Sequence, residues 1–168
     1  MPESTSSERP RIVLLVGLPG SGKSTYLEKL GVSSLSSDEM RRLLIDDVTN
    51  QTIHGQVFAS IRYLLRQRIR LGRPVSYVDA TNLTREDRAP ILQMARRFGC
   101  AAEALYFDVS LAICKERNRQ RGRKVPEDVM DAMVARLVPP SVDEGFDKVT
   151  RILVRATDVE QMPKEYPG

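Results

Sequence analysis

Residues 17–24 read Gly17-Leu18-Pro19-Gly20-Ser21-Gly22-Lys23-Ser24, a complete G-x-x-x-x-G-K-S phosphate loop. It follows the apolar run Ile12-Val13-Leu14-Leu15-Val16 and precedes Thr25-Tyr26-Leu27-Glu28-Lys29-Leu30, which can open a helix. Strand, glycine turn and helix in that order are the context that gives the pattern its meaning. A chain carrying it is committed to an α/β arrangement with a nucleoside triphosphate near its start.

The physics of the loop is direct. Gly17, Gly20 and Gly22 permit backbone angles that a side chain would forbid. Consecutive N–H groups can then turn inward around phosphate oxygens, and the helix opening near Lys23 adds its positive dipole end. Lys23 is placed to reach the β- and γ-phosphates, and the Ser24 hydroxyl to ligate Mg²⁺. Ser21 and Thr25 complete the set of loop residues expected to hold ATP.

Downstream, strand and helix alternate without an internal repeat. Strands are expected over 11–16, 32–35, 75–79, 101–107 and 148–154. Helices are expected from Lys23 to about Gly31, from Ser36 to about 46, over about 53–71, from the Thr84 cap to about 98, from the Ser110 cap to about 121, and from Pro126 to about 137. Gly72 and Pro74 stop the third helix, and Pro139-Pro140 break the last. Five strands separated by helices imply a parallel sheet covered on both faces, with the ligand at the carboxyl ends of the strands. Residues 1–10 read as a disordered tail, 11–157 as one domain, and 158–168 as a loose end.

No apolar run approaches the ~20 residues of a membrane helix, and the polar start lacks the apolar middle of a signal peptide. A cytoplasmic protein is the default. Cys100 and Cys114, the only two cysteines, have no C-x-x-C spacing, which argues against a disulfide or metal framework. The single histidine, His54, reads as a surface or packed residue. The net charge of +4 is unevenly spread. Arg62, Arg66, Arg68, Arg70 and Arg73 read as a solvated helix face. Lys115, Arg117, Arg119, Arg121, Arg123 and Lys124 read as a surface for a phosphate-rich ligand.

Three further positions fall at the expected sheet edge. Asp38, after the second strand, can face the γ-phosphate and accept a proton from an attacking hydroxyl. It can equally serve the helix dipole, beside a Ser36-x-x-Glu39 capping box. Arg41, three residues on, shares its helix face and could bind an acceptor phosphate. Asp79 ends a buried strand in the manner of a Walker-B carboxylate, which holds Mg²⁺. No Glu follows it, so a water-activating carboxylate is missing, and Thr81-Asn82 also suit a turn. Arg117 and Arg121 lie four apart on one helix face and can fold over the triphosphate.

The phosphate loop, Ser37-Asp38-Glu39-Met40-Arg41, Asp79-Ala80-Thr81-Asn82 with Arg85, and Glu116-Arg117-Asn118-Arg119-Gln120-Arg121 together resemble the 5′-hydroxyl polynucleotide kinases, the kinase domains of phage and bacterial end-healing enzymes. The resemblance covers about residues 11–154. A wider set of small P-loop kinases, zeta-toxin-like proteins among them, shares all but the last element.

The resemblance implies a P-loop kinase fold with a helical lid over about 110–137. It also implies an ATP- and Mg²⁺-dependent transfer to the 5′-hydroxyl end of DNA or RNA. Asp38 would be the general base, Arg41 would hold the 3′-phosphate of the terminal nucleotide, and Lys23, Arg117 and Arg121 would grip the β- and γ-phosphates. Ser24 and Asp79 would serve the metal, Asp79 through water. Asp79, Asn82 and Arg85 would organise the acceptor. The chain would be kinase only, or one excised domain, and assembly into homo-oligomers is left open. Two other readings stand beside it: a kinase of a small molecule, and a nucleotide-binding switch without transfer. Aromatic residues make up 5% of the chain and there is no Trp, so a dedicated base-stacking platform is not evident.

Overall fold

The computed structural model describes residues 8–122 and 125–153. Its elements are β1 (Arg11–Val16), α1 (Lys23–Leu30), β2 (Ser34–Ser36), α2 (Ser37–Ile45), α3 (His54–Arg70), β3 (Val75–Asp79), α4 (Arg85–Phe98), β4 (Ala101–Asp108), α5 (Leu111–Arg119), α6 (Glu127–Arg136) and β5 (Lys148–Leu153), with a 3₁₀ turn over Val142–Glu144. The five strands form one parallel sheet in the order β2-β3-β1-β4-β5.

The layering follows from the strand period of two. Ile12 and Leu14 point to one face, where they meet Val57, Ile61 and Leu65 of α3 and Ile91, Leu92 and Ala95 of α4. Val13 and Leu15 point to the other, against Tyr26 and Leu27 of α1, Cys114 of α5 and Met130 of α6. Because β1 is central and buried on both faces, it reads as an unbroken apolar run. The chain moves to one side of β1 for β2 and β3 and to the other for β4 and β5. The carboxyl end of β1 is therefore the topological switch point where ligands of open α/β sheets bind.

Several helix ends form as their residues dictate. Thr84 caps α4 by accepting from the Asp87 N–H, while the Asp87 carboxylate accepts from the Thr84 N–H. Ser110 caps α5 through the Ile113 N–H. Pro126 is the cap residue before α6 rather than its first-turn residue. Only half of the capping box at α2 forms. Ser36 Oγ accepts from the Glu39 N–H, but the Glu39 carboxylate pairs with Arg42.

Two boundaries differ from the sequence expectation. β2 starts at Ser34 rather than Val32, because the Val32 N–H donates to Leu27 O and closes the end of α1 around Gly31, leaving Val32 outside the ladder. The ordered chain begins before residue 11. Pro10 O accepts from the Ala101 N–H, and Arg9 pairs with Asp147 at 3.2 Å, so the expected tail of 1–10 is shortened at its end. The remainder of that tail, Arg123, Lys124, Val154 and the 158–168 segment lie outside the described residues.

Candidate active site

A cleft of about 1220 Å³ opens above the carboxyl ends of the strands. Its floor is the phosphate loop. Gly20 and Gly22 adopt φ of +81° and +99°, in the left-handed region. Gly20 is also pressed against α5: a Cβ there would meet Cys114 O at 2.6 Å. Gly17 does not share the positive φ, and its requirement is space. A Cβ would lie 2.8 Å from Ser21 Oγ and 3.1 Å from Phe107 Cβ of β4. The loop is thus wedged between β4 and α5, and it delivers the first N–H groups of α1, which have no intrahelical acceptor, to the cleft.

Lys23 folds back over the loop. Its ammonium donates to Gly17 O and Leu18 O, each at 2.9 Å, and to Ser21 Oγ at 3.5 Å. Burial pulls its pKa down to about 8 from 10.5, against the opposing pull of Asp79. Ser24 Oγ donates to Asp79 Oδ2 at 2.8 Å, tying the last loop hydroxyl to the end of β3.

Asp38 lies in the first turn of α2 and lines the same cleft. Its side chain is half-exposed and faces the buried Arg41 guanidinium, one nitrogen of which lies 3.5 Å from Oδ1. Arg41 also donates to Gln51 Oε1 at 3.3 Å. Gln51, Thr49, His54 and Phe58 form the wall beyond it. The His54 ring lies 4.5 Å from that of Phe58. These wall residues carry no motif, so the sequence offered no signal for them beyond their place ahead of and within α3.

On the opposite side, α5 contributes Arg117, Gln120 and Arg121, and α6 contributes Val129, Met133 and Arg136. One Arg117 nitrogen donates to Gly20 O at 3.3 Å, so the guanidinium already rests on the loop. The basic segment 115–124 divides once folded. Lys115 pairs with Asp131 at 2.7 Å, and Arg119 pairs with Glu116 and Glu127, so those two cations are spent on the α5–α6 contact. Among the described residues of that segment, Arg117 and Arg121 are the cations that line the cleft.

The structure therefore brings Gly20, Ser21, Gly22, Lys23, Ser24, Thr25, Asp38, Arg41, Asp79, Arg117 and Arg121 to one cavity. Gly17, Asn82 and Arg85 stand outside its lining. Asn82 is buried with φ +48° and donates to Leu15 O at 2.7 Å, locking the loop after β3 to the end of β1. Arg85 extends to Asp143 and Ser141 at the α4 entrance. A residue the sequence did not single out, Arg88, is fully buried. It pairs with Glu144 through two hydrogen bonds of 2.8 and 2.9 Å and donates to the carbonyls of Asn82, Leu83 and Val138. It ties the loop after β3 to the segment that follows α6.

A family model described as AAA domain (AAA_33) matches residues 12–140, from β1 through α6.

The chain belongs to this family.

Among proteins of known description, it is 28% identical over 158 residues to the Arabidopsis thaliana protein named transcription factor bHLH140, covering 88% of this chain and 17% of that one. It is 26% identical over 151 residues to the bifunctional polynucleotide phosphatase/kinase of Schizosaccharomyces pombe, covering 87% of this chain and 34% of the relative. This AAA_33 chain thus spans about a sixth and about a third of the length of these two relatives. The crystal structure of a fungal RNA kinase aligns with a TM-score of 0.63 at 18% identity, covering 95% of this chain and 82% of that one. At that identity the alignment speaks for the P-loop kinase fold alone.

The donor set fits a magnesium triphosphate. A hydroxyl and a carboxylate 2.8 Å apart are hard oxygen ligands beside an anion cradle. Besides Lys23, the cations Lys29, Arg41, Arg117, Arg121 and Arg136 line the same cavity.

Proposed function

We propose that this protein transfers the γ-phosphate of ATP to the 5′-hydroxyl end of a polynucleotide. The observation that carries the proposal is the placement of Asp38 in the Lys23 cleft with Arg41 behind it. A protein that only binds nucleotide has no use for a carboxylate on the acceptor side of its phosphate cradle. At about 1220 Å³ the cleft also exceeds the ~300–1,000 Å³ of an ordinary single-ligand pocket, which supports two substrates bound together.

The chain's own residues then have distinct tasks. The loop N–H groups and Lys23 hold the phosphates. Ser24 and Asp79 would hold Mg²⁺, which supplies charge neutralisation on the β- and γ-oxygens when bound. Asp38 accepts the proton of the acceptor hydroxyl as its oxygen bonds to the γ-phosphorus and the bond to the ADP oxygen breaks. Arg117 and Arg121 neutralise charge between donor and leaving group. Arg41 fixes Asp38 and meets the phosphate of the terminal nucleotide. The likeness to the Schizosaccharomyces pombe phosphatase/kinase supports a nucleic-acid acceptor.

The test offers labelled ATP to a 5′-hydroxyl oligonucleotide at low salt, with small alcohols and sugars as competitors. Label on the oligonucleotide is the expected result. Label on a small alcohol with none on the oligonucleotide would move the reading to a small-molecule kinase. ATP binding with no transfer to any acceptor would make the protein a nucleotide switch.

A further inference from the structure

The arginine series of α3, which the sequence reads as a solvated face, has a different environment once folded. α3 carries Arg62, Arg66, Arg68 and Arg70 and no carboxylate in its 17 residues. Arg68 is used internally, donating to Ser76 Oγ and Val75 O. Among the described residues, Arg62, Arg66 and Arg70 have no hydrogen bond or ion pair, in contrast to Lys115 and Arg119 of α5. Arg66 and Arg70 line a groove of about 310 Å³ with Pro90, Gln93, Met94, Arg97 and Phe98 of α4. No acidic side chain enters that lining. Dipole complementarity accounts for cations in the last turn of a helix. It does not account for Arg62 and Arg66, which lie earlier, nor for the lack of any counter-charge.

We propose that this α3–α4 groove is a track for the backbone phosphates of a single-stranded nucleic acid whose 5′ end sits in the cleft. The inference rests on the polynucleotide reading and adds where the rest of the substrate runs. Geometry connects the two places. α3 runs antiparallel to the strands, and its first turns supply His54 and Phe58 to the cleft wall. From these, the i+4 ridge continues through Arg62, Arg66 and Arg70. Phe58 to Arg70 is twelve residues, about 18 Å of helix. At ~3.4 Å per stacked nucleotide that is about five nucleotides. Tyr63 is 57% exposed and shares a helix face with Arg66 and Arg70 at i, i+3 and i+7, giving a base one aromatic ring beside the cations. Net positive charge with no local acid selects a polyanion, and the width of a groove between two helices suits one strand better than a duplex.

The experiment compares wild type with R66A/R70A/R97A. Anisotropy is measured with a labelled single-stranded oligonucleotide of about ten nucleotides across a salt series. The variant binds more weakly, and its slope of log K against log salt flattens by about 2, three contacts at ~0.7 each. In the transfer assay its KM rises for that oligonucleotide, while kcat and KM are unchanged for a 3′-phosphorylated nucleoside too short to reach the groove. R66K/R70K/R97K keeps the wild-type slope. If the triple alanine variant loses its thermal transition, the three single variants carry the test, each flattening the slope by about 0.7. Equal affinity and slope in wild type and variant overturn the proposal, as does failure of the wild type to bind the oligonucleotide. Binding to anionic-lipid vesicles that depends on these arginines, with oligonucleotide binding indifferent to them, overturns it too. Oligonucleotide binding that depends on them, in a protein that transfers no phosphate, supports the groove and removes only the kinase reading.

Discussion

Ser24 Oγ donates to Asp79 Oδ2 at 2.8 Å, across 55 residues of chain, joining the end of the phosphate loop to the end of β3. The pairing is possible because β3 is the immediate parallel neighbour of β1. It sets the hydroxyl and the carboxylate as one preformed unit at the sheet edge.

Removing the charge of that unit should be felt through the metal. Asp79→Asn is expected to raise the Mg²⁺ concentration needed for half-maximal transfer, with a smaller effect on nucleotide binding without metal. Because Asp79 also holds the Lys23 pKa up, the variant should shift the alkaline limit of nucleotide binding to lower pH. A magnesium titration at two pH values checks both effects, and an unchanged metal requirement would remove Asp79 from the metal site.

Asp38→Asn keeps the shape of the side chain and abolishes its capacity to take a proton. Transfer should fall by about 10²–10⁴, with ATP affinity nearly intact. Single-turnover rates and an equilibrium nucleotide titration separate the two. A variant near the wild-type rate would leave Asp38 only its place in the first turn of α2.

Arg41 is buried, bridges Asp38 and Gln51, and lines the cleft beside Asp38. Arg41→Ala should raise the acceptor KM more for a nucleoside 3′-phosphate than for a bare nucleoside. Equal changes for the two acceptors would take the phosphate contact away from Arg41 and leave it as a support for Asp38.

Lys23 gives a pH signature with a definite sign. Its folded pKa of about 8 is below the ordinary 10.5, so between those values the unfolded chain holds a proton that the folded chain lacks. Stability of the nucleotide-free protein should therefore gain a rising contribution from about pH 8 toward 10.5, absent in Lys23→Met. A bound triphosphate favours the charged amine, so ATP affinity should fall as pH rises past about 8, with proton uptake on binding. Calorimetry in buffers of different ionisation enthalpy measures that uptake, and its absence would mean the amine is already charged.

Arg88 and Glu144 are almost wholly excluded from solvent and bound to each other twice. Arg88→Ala strands a buried carboxylate and three carbonyls and should cost about 3–5 kcal/mol. The double change Arg88→Met with Glu144→Leu should recover much of that loss, since an apolar pair of similar volume removes both desolvation penalties. Denaturant midpoints of the single and double variants test the coupling.

The sequence by itself determined the parts governed by local rules. The phosphate loop, the caps at Thr84 and Ser110 and the breaks at Gly72 and Pro74 need only neighbouring residues, and they stand where expected. So does the family resemblance carried by the loop, Asp38, Asp79 and the α5 arginines, as far as the AAA_33 match and the P-loop kinase fold reach. Tertiary structure decided what depends on distant partners. The strand order put Asp79 against Ser24. The register with β3, and the closure of α1 by the Val32 N–H, moved the start of β2 by two residues. Folding also sorted the two arginine clusters. Carboxylates of α5 and α6 took up Lys115 and Arg119 and left Arg117 and Arg121 to the cleft, while Arg66 and Arg70 came to line a groove with no acid in its lining. A charge run in sequence fixes how many cations exist. Only the fold fixes which of them meet a counter-ion, because those counter-ions arrive from other elements.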